Sequence, residues 1–334
     1  MMIIDAHTHM FHEKCLDELK KMGGDWAQKK VAQLSGRVRT KPALNNVEER
    51  LGMLGRTGID MQIVTPPHFI YSSHMPDDEA AQLAVCRVIN DGQARLMEES
   101  KGRLIGVGTV PLEEWDHLGQ KELERAVNSL GLKGMAIASH YRGKPLDSPE
   151  FIGFWAQAAE MDIPIHIHPA DPAVFTGRTY EAGYDLAHTF GWPFETILVL
   201  SRLVFSGIME RYPTLKIVSH HLGGALPFFW GRIEETYVTE RQEALIGKVM
   251  QKPLYDYFSL FYYDTAVGGN ASAIKCAYDI FGADKLVFAT DAPFGPGSGE
   301  VRLAEYPKII ESLGLPEADK NKIFAGNVQK IFHC

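Results

Sequence analysis

The sequence predicts a single (β/α)8 barrel, the TIM-barrel architecture, with residues 1–334 in one domain. Eight short apolar runs recur along the chain, and most lead into a stretch with helix-compatible spacing. Histidines and an aspartate collect where four of those runs stop. The length suits one large barrel, because α/β barrels routinely run past the average domain size. Strand and helix alternating eight times with right-handed crossovers close into a barrel more naturally than they lie as an open sheet. An eight-stranded doubly wound sheet is the alternative.

In chain order the runs are Met2–His9, Met61–Pro67, Leu104–Pro111, Gly134–His140, Ile163–Pro169, Lys216–Gly223, Tyr257–Thr265 and Leu286–Pro293. Their near-continuous hydrophobicity fits strands covered on both faces, as in a parallel sheet. Between them lie the amphipathic stretches Asp77–Ser100, Gln120–Leu130, Ser148–Met161, Pro193–Arg211 and Ala225–Gln242. Pro149 and Pro193 sit near the starts of two of these, where a missing N–H costs least. Two connections exceed the usual length and are read as inserted loops after strands one and five. Phe11–Asn46 carries Lys20, Lys21, Lys29, Lys30 and Trp26, and Ala170–Trp192 carries Phe175, Tyr180, Tyr184, His188 and Trp192. Both fall on the side of the barrel where active sites form, as lids, substrate walls or oligomer contacts.

Composition narrows the function classes. With 45% hydrophobic and 23% charged residues the chain can bury a large core. A formal net charge of −8 argues against a generic nucleic-acid or acidic-membrane surface. Cys15, Cys86, Cys276 and Cys334 show no metal-binding spacing and read as reduced thiols. No apolar run is long enough to span a bilayer. The opening Met-Met-Ile-Ile-Asp-Ala-His lacks a basic region followed by an apolar stretch, so a cytoplasmic chain is expected.

The chemistry should lie at the C-terminal ends of the strands. Strand one ends Asp5-Ala6-His7-Thr8-His9, and residues two apart on a strand face the same way. His7 and His9 can therefore hold one cation between them. Strand five repeats the pattern as His166-Ile167-His168-Pro169. His168, nearer the mouth, is assigned to the metal, and His166 to packing behind it. Strand six ends His220-His221-Leu222-Gly223-Gly224, where alternation sends the two histidines to opposite faces and one of them inward. Asp291, ending strand eight, can serve as carboxylate ligand, proton acceptor or both. Buried polar residues converging from four strands without a shared ion or network would be costly.

With these residues in place the chain resembles the amidohydrolase superfamily. Within it, the resemblance is to the group that contains aminocarboxymuconate-semialdehyde decarboxylase and γ-resorcylate decarboxylase. It rests on Ile3-Ile-Asp-Ala-His-Thr-His, Ile163-Pro-Ile-His-Ile-His-Pro, Asp291-Ala-Pro-Phe and the long stretch from Phe205 through His221-Leu-Gly-Gly-Ala-Leu-Pro-Phe to Gly231-Arg232-Ile233. The resemblance implies that His7, His9, His168 and Asp291 ligate the metal, and that His221, with Asp291, is catalytic. It implies that Arg50 and Arg232 meet a substrate carboxylate, one of them from a neighbouring subunit of a dimer or tetramer. Strand four ends Ala136-Ile-Ala-Ser-His140 without the lysine that bridges two metals in many superfamily hydrolases, so one divalent ion is expected, zinc before manganese.

The expected substrate is a small carboxylated aromatic or unsaturated acid, with Phe294 among the residues against it. Decarboxylation is the favoured reaction. Hydrolysis of a C–C bond or lactone, or hydration, would use the same ligands. An inactive barrel kept as a binding protein is the remaining class.

Overall fold

A computed structural model describes residues 1–71, 75–170, 184–237 and 249–334. Eight parallel strands form the barrel: β1 (Ile4–His9), β2 (Met61–Thr65), β3 (Leu104–Gly106), β4 (Met135–Ala138), β5 (Pro164–His168), β6 (Lys216–Ser219), β7 (Tyr262–Asp264) and β8 (Leu286–Val287). Two ladders, β1-β2-β3 and β4-β5-β6-β7-β8, are joined at both seams by isolated bridges, Gly108 to Met135 and Thr8 to Ala292. Main-chain bonds from Ala6 N to Phe288 O (2.8 Å) and from Asp291 N to His7 O (2.9 Å) complete the closure. The ring is shut without an exposed edge there, as the alternating pattern requires.

Every residue of β1, β4 and β5 is buried, as in strands covered on both faces. Alternate residues divide between two apolar clusters. Ile63, Ile105, Ala136, Ala138, Val218 and Val287 belong to one. Val64, Leu104, Met135, Ile137, Ile165, Ile167, Ile217 and Leu286 pack with the helices in the other. In the β4–β5 register Ala136 stands beside His166 and Ala138 beside His168, so small side chains neighbour the imidazoles.

Several expected elements are shorter or differently built. The run expected as strand seven begins inside a helix, Leu254–Phe258, and only Tyr262–Asp264 is extended. The region expected as the loop after β1 is largely helical: α1 (Lys14–Met22), α2 (Gly24–Thr40) and a turn at Pro42–Leu44, followed by α3 (Val47–Thr57). Lys30 is buried there, its Nζ 2.6 Å from Phe69 O, whereas Lys20, Lys21 and Lys29 are exposed. The stretch Asp77–Ser100 forms α4 (Glu79–Glu99), capped by Asp78 Oδ1 accepting from Ala81 N at 2.8 Å. Gln120–Leu130 forms α5 (Gln120–Glu124) and a wider turn, and Ser148–Met161 forms α6 (Ile152–Glu160) after a short turn at Pro149. Pro193–Arg211 is two helices, α7 (Trp192–Phe205) and α8 (Ile208–Arg211), separated at Gly207. Of Ala225–Gln242, α9 covers Trp230–Tyr237, and residues 238–242 lie outside the described residues, as do Phe175 and Tyr180. Among the described residues no helix is long and apolar enough to cross a membrane.

Candidate active site

The strand ends deliver three imidazoles and a carboxylate to one place. His7, His9 and His168 are fully buried, and their ligand-capable atoms lie within 4.8 Å of one another. Each ring is fixed through Nδ1. His7 Nδ1 donates to Asp264 Oδ2 at 2.7 Å, and His168 Nδ1 donates to Pro169 O at 2.7 Å. His9 Nδ1 faces Thr65 Oγ1 at 3.1 Å and Pro66 O at 3.4 Å. A proton on each Nδ1 leaves each Nε2 as a bare lone pair.

Those lone pairs converge. His7 Nε2 and His9 Nε2 are 3.1 Å apart, and Asp291 Oδ1 lies 3.3 Å from His9 Nε2 and 3.8 Å from His7 Nε2. Lone pairs and an anionic oxygen so placed repel unless a cation sits among them, so the donor set fits a divalent metal held by nitrogen and oxygen. Burial holds the His7 imidazole down to about 3 and the His168 imidazole well below its ordinary value, so both are neutral, as metal binding requires. Burial alone would raise the Asp291 carboxyl. The neighbouring imidazoles of His9, His7 and His221 outweigh it and hold Asp291 below the usual carboxylate range. Burial pushes Asp264 up to about 6.

Both histidines after β6 reach this centre, which strict alternation does not allow. His220 stacks on His7 with ring centroids 3.5 Å apart and meets His166 Nδ1 through its Nε2 at 2.9 Å. His221 lies 5.5 Å from the His7 ring and 5.6 Å from that of His168. The reason is local. The strand stops at Ser219, and His221 and Leu222 take left-handed backbone angles, φ 53° and 58°, which return the second ring to the same side. Asp291 is also left-handed, φ 63°. Such conformations in residues other than glycine persist where surrounding structure enforces them, typically at functional sites. Burial lowers His221 to about 4.

Above the cluster opens a cavity of about 640 Å3 lined by His9, His168, Asp291 and the aromatic groups His68, Phe69, Trp192 and Phe294. His68 stacks on His168 at 4.3 Å, and Phe294 lies 5.4 Å from the His9 ring. Gln33 and Arg37 from α2 also line this cavity, as does Arg302. A pocket of this size, walled by aromatic rings among polar and charged groups, suits a small planar ligand.

The two other arginines singled out in the sequence are elsewhere. Arg50, on α3, is fully buried and does not line the cavity. Its Nη2 donates to His9 O at 2.6 Å and its Nη1 to Gln62 Oε1 at 3.1 Å. This placement departs from the expected carboxylate contact, since the guanidinium is consumed in supporting β1. Arg232 is exposed on α9, outside the cavity of its own chain. Asp264, Arg37 and Arg302 were not among the sequence candidates. Asp264 ends a strand, as His9 and His168 do, and that rule could have found it. The two arginines sit on helices with nothing local to mark them.

Comparison with known proteins follows the same lines. The sequence profile of the amidohydrolase family matches residues 4–334. The chain is similar to 2-amino-3-carboxymuconate-6-semialdehyde decarboxylase of Dictyostelium discoideum, 28% identical over 97% of this chain and 89% of that one. It is similar to 2-keto-4-carboxy-3-hexenedioate hydratase of Sphingobium, 25% identical over 99% and 96%. Among solved structures it is similar to 5-carboxyvanillate decarboxylase of Novosphingobium aromaticivorans, complexed with manganese and 4-hydroxy-3-methoxy-5-nitrobenzoic acid. That likeness has a TM-score of 0.82 and 25% identity, covering 100% of this chain and 96% of that one.

Proposed function

Because the chain belongs to the amidohydrolase family, we propose that it is a metal-dependent decarboxylase of a small carboxylated aromatic or muconate-like acid. The observation that carries this is the convergence of His7 Nε2, His9 Nε2 and Asp291 Oδ1, with His168, at the floor of an aromatic-walled cavity. These four residues would hold one divalent ion, zinc in our reading, with manganese the alternative that the solved relative favours. When bound, the ion supplies Lewis-acid stabilisation of the negative charge that develops as the C–C bond breaks.

The chain's own residues do the rest. Trp192, Phe69 and Phe294 flank a planar substrate, and Arg37 at the cavity mouth offers a cation to a carboxylate. Asp291 and His221 are less enclosed than the three histidine ligands and are placed to hold and move a proton. That proton is added to the carbon bearing the carboxylate. The electron pair of the breaking bond stays on that carbon, and CO2 leaves.

Hydration or hydrolysis on the same ligands is the second reading, favoured by the similarity to a hydratase. We also infer a homo-oligomer, dimer or tetramer. Phe228 and Phe229, 79% and 40% exposed, immediately precede α9 and Arg232.

The test is CO2 release from a panel of carboxylated aromatic and diene acids by metal-loaded protein, beside elemental analysis. One equivalent of metal, lost in His7→Ala and His168→Ala, with CO2 evolved, is the expected result. Arg37→Met should raise KM with metal content unchanged. Oxygen-18 uptake from labelled water without CO2 would replace decarboxylation by the second reading, and two equivalents of metal would overturn the mononuclear centre.

A further inference from the structure

Asp291 has two carboxylate oxygens, and only Oδ1 faces the imidazoles. Arg302 holds the other. It sits in the first turn of the helix Glu300–Ser312, and its Nη1 donates to Asp291 Oδ2 at 3.0 Å and to Thr290 O at 3.2 Å. One nitrogen thus secures both the carboxylate and the main chain just before it, where the backbone enters its left-handed turn. A charge-assisted bond to a partly buried carboxylate is among the stronger orienting contacts a protein makes. Here the Arg302 side chain is 22% exposed and Asp291 17%.

A second observation points the same way. Gly295 stands beside the guanidinium with φ 98°, and a Cβ there would lie 2.3 Å from Arg302 Nε and 2.8 Å from its Cζ. A side chain at this position would displace the guanidinium from the path it takes to Asp291. Gly295, Arg302 and Asp291 all line the cavity wall.

We propose that Arg302 is a positioning residue: it occupies Asp291 Oδ2 so that the carboxylate presents Oδ1 alone to the metal, and Gly295 is the space that permits it. A carboxylate released from this hold can turn both oxygens inward, taking up a position that a substrate needs. Catalytic metal sites depend on keeping such a position open. Groups that orient a metal ligand typically change metal affinity 10- to 100-fold, roughly, when removed.

This inference rests on the reading above only in taking the four ligands to bind a metal. Its test is metal release to a competing chelator and the visible spectrum of cobalt-loaded protein, for wild type, Arg302→Met, Arg302→Lys and Gly295→Ala. Arg302→Met should change metal affinity about 10- to 100-fold and alter the cobalt spectrum, and Arg302→Lys, which keeps charge and one donor, should restore part of both. Gly295→Ala, which displaces the guanidinium without removing it, should move both in the same direction. In the Arg302→Met background it should add nothing further to them. Wild-type metal retention and spectrum in Arg302→Met, with KM raised, would overturn the proposal and make Arg302 a substrate contact. Failure of the wild-type protein to bind metal would instead sink the metal centre itself.

Discussion

Arg50 shows how a charged side chain can belong to a site without touching what the site binds. It is among the largest side chains fully enclosed by the fold. Its Nε donates to Ala43 O, its Nη1 to Gln62 Oε1 and its Nη2 to His9 O, and Gln62 Nε2 in turn meets Asp5 Oδ2 at 3.2 Å. Asp5 also accepts from Thr290 N and Oγ1, so one buried network ties β1 to the chain beside Asp291. Burial pushes Arg50 down to about 10 and Asp5 up to about 7. Arg50→Ala strands three acceptors out of water, and we expect a loss of about 3–5 kcal/mol in urea unfolding. Unchanged stability with a raised KM would return Arg50 to the role of a substrate arginine. The sequence could show that an arginine follows the first strand, but not that its partners are main-chain carbonyls from two segments. Residue spacing carries no information about such contacts.

At the scale of the element, the turn after β6 is the instructive one. The Gly223-Gly224 pair reads from sequence as a place of close approach, and what approaches is the start of α7. A Cβ on Gly224, at φ 69°, would lie 2.1 Å from Pro193 O. Since α7 begins with Trp192, stacked over His221 with centroids 6.3 Å apart, the glycine sets the distance between the cavity's aromatic wall and that histidine. Gly224→Ala should destabilise by about 1–3 kcal/mol and reduce turnover while leaving metal content intact, because the proposed metal ligands lie at the ends of other strands. Loss of metal in this variant would show that the turn supports the metal centre as well. Period-two alternation brought His7 beside His9 and His166 beside His168 because both pairs lie on strands, β1 with a register shift between Asp5 and Thr8. It failed at His221 because the strand had already ended, and a change of backbone region leaves no trace in hydrophobic periodicity.

For the whole molecule, eight strands in order were legible because a parallel barrel buries both strand faces, and that burial is written as apolar runs. The helices over Phe11–Asn46 were not, because a surface helix with a mixed polar face looks like a long connection. The outer surface carries its own message. Phe190, Phe194 and Leu198, 63%, 45% and 37% exposed, recur at four-residue spacing from the turn before α7 into that helix, and Phe228 and Phe229 add to the exposed aromatic area. If copies of the chain associate through this side, Phe228→Ser should shift the sedimentation profile toward monomer. Arg232→Ala should raise KM with metal retained. A wild-type protein that sediments as a monomer would discard the oligomer.

The seam between the first and last strands has a consequence in time. His7 and His9 are synthesised well before Asp291, with most of the barrel between them in the chain. The Thr8–Ala292 bridge that brings them together cannot form until all eight strands have been made. A nascent chain therefore carries unpaired imidazoles without the carboxylate that completes their set. On the proposed ligand set, capture of the ion would wait for closure of the ring. By mass action, an ion that binds only the closed ring would favour closure over every partly threaded form.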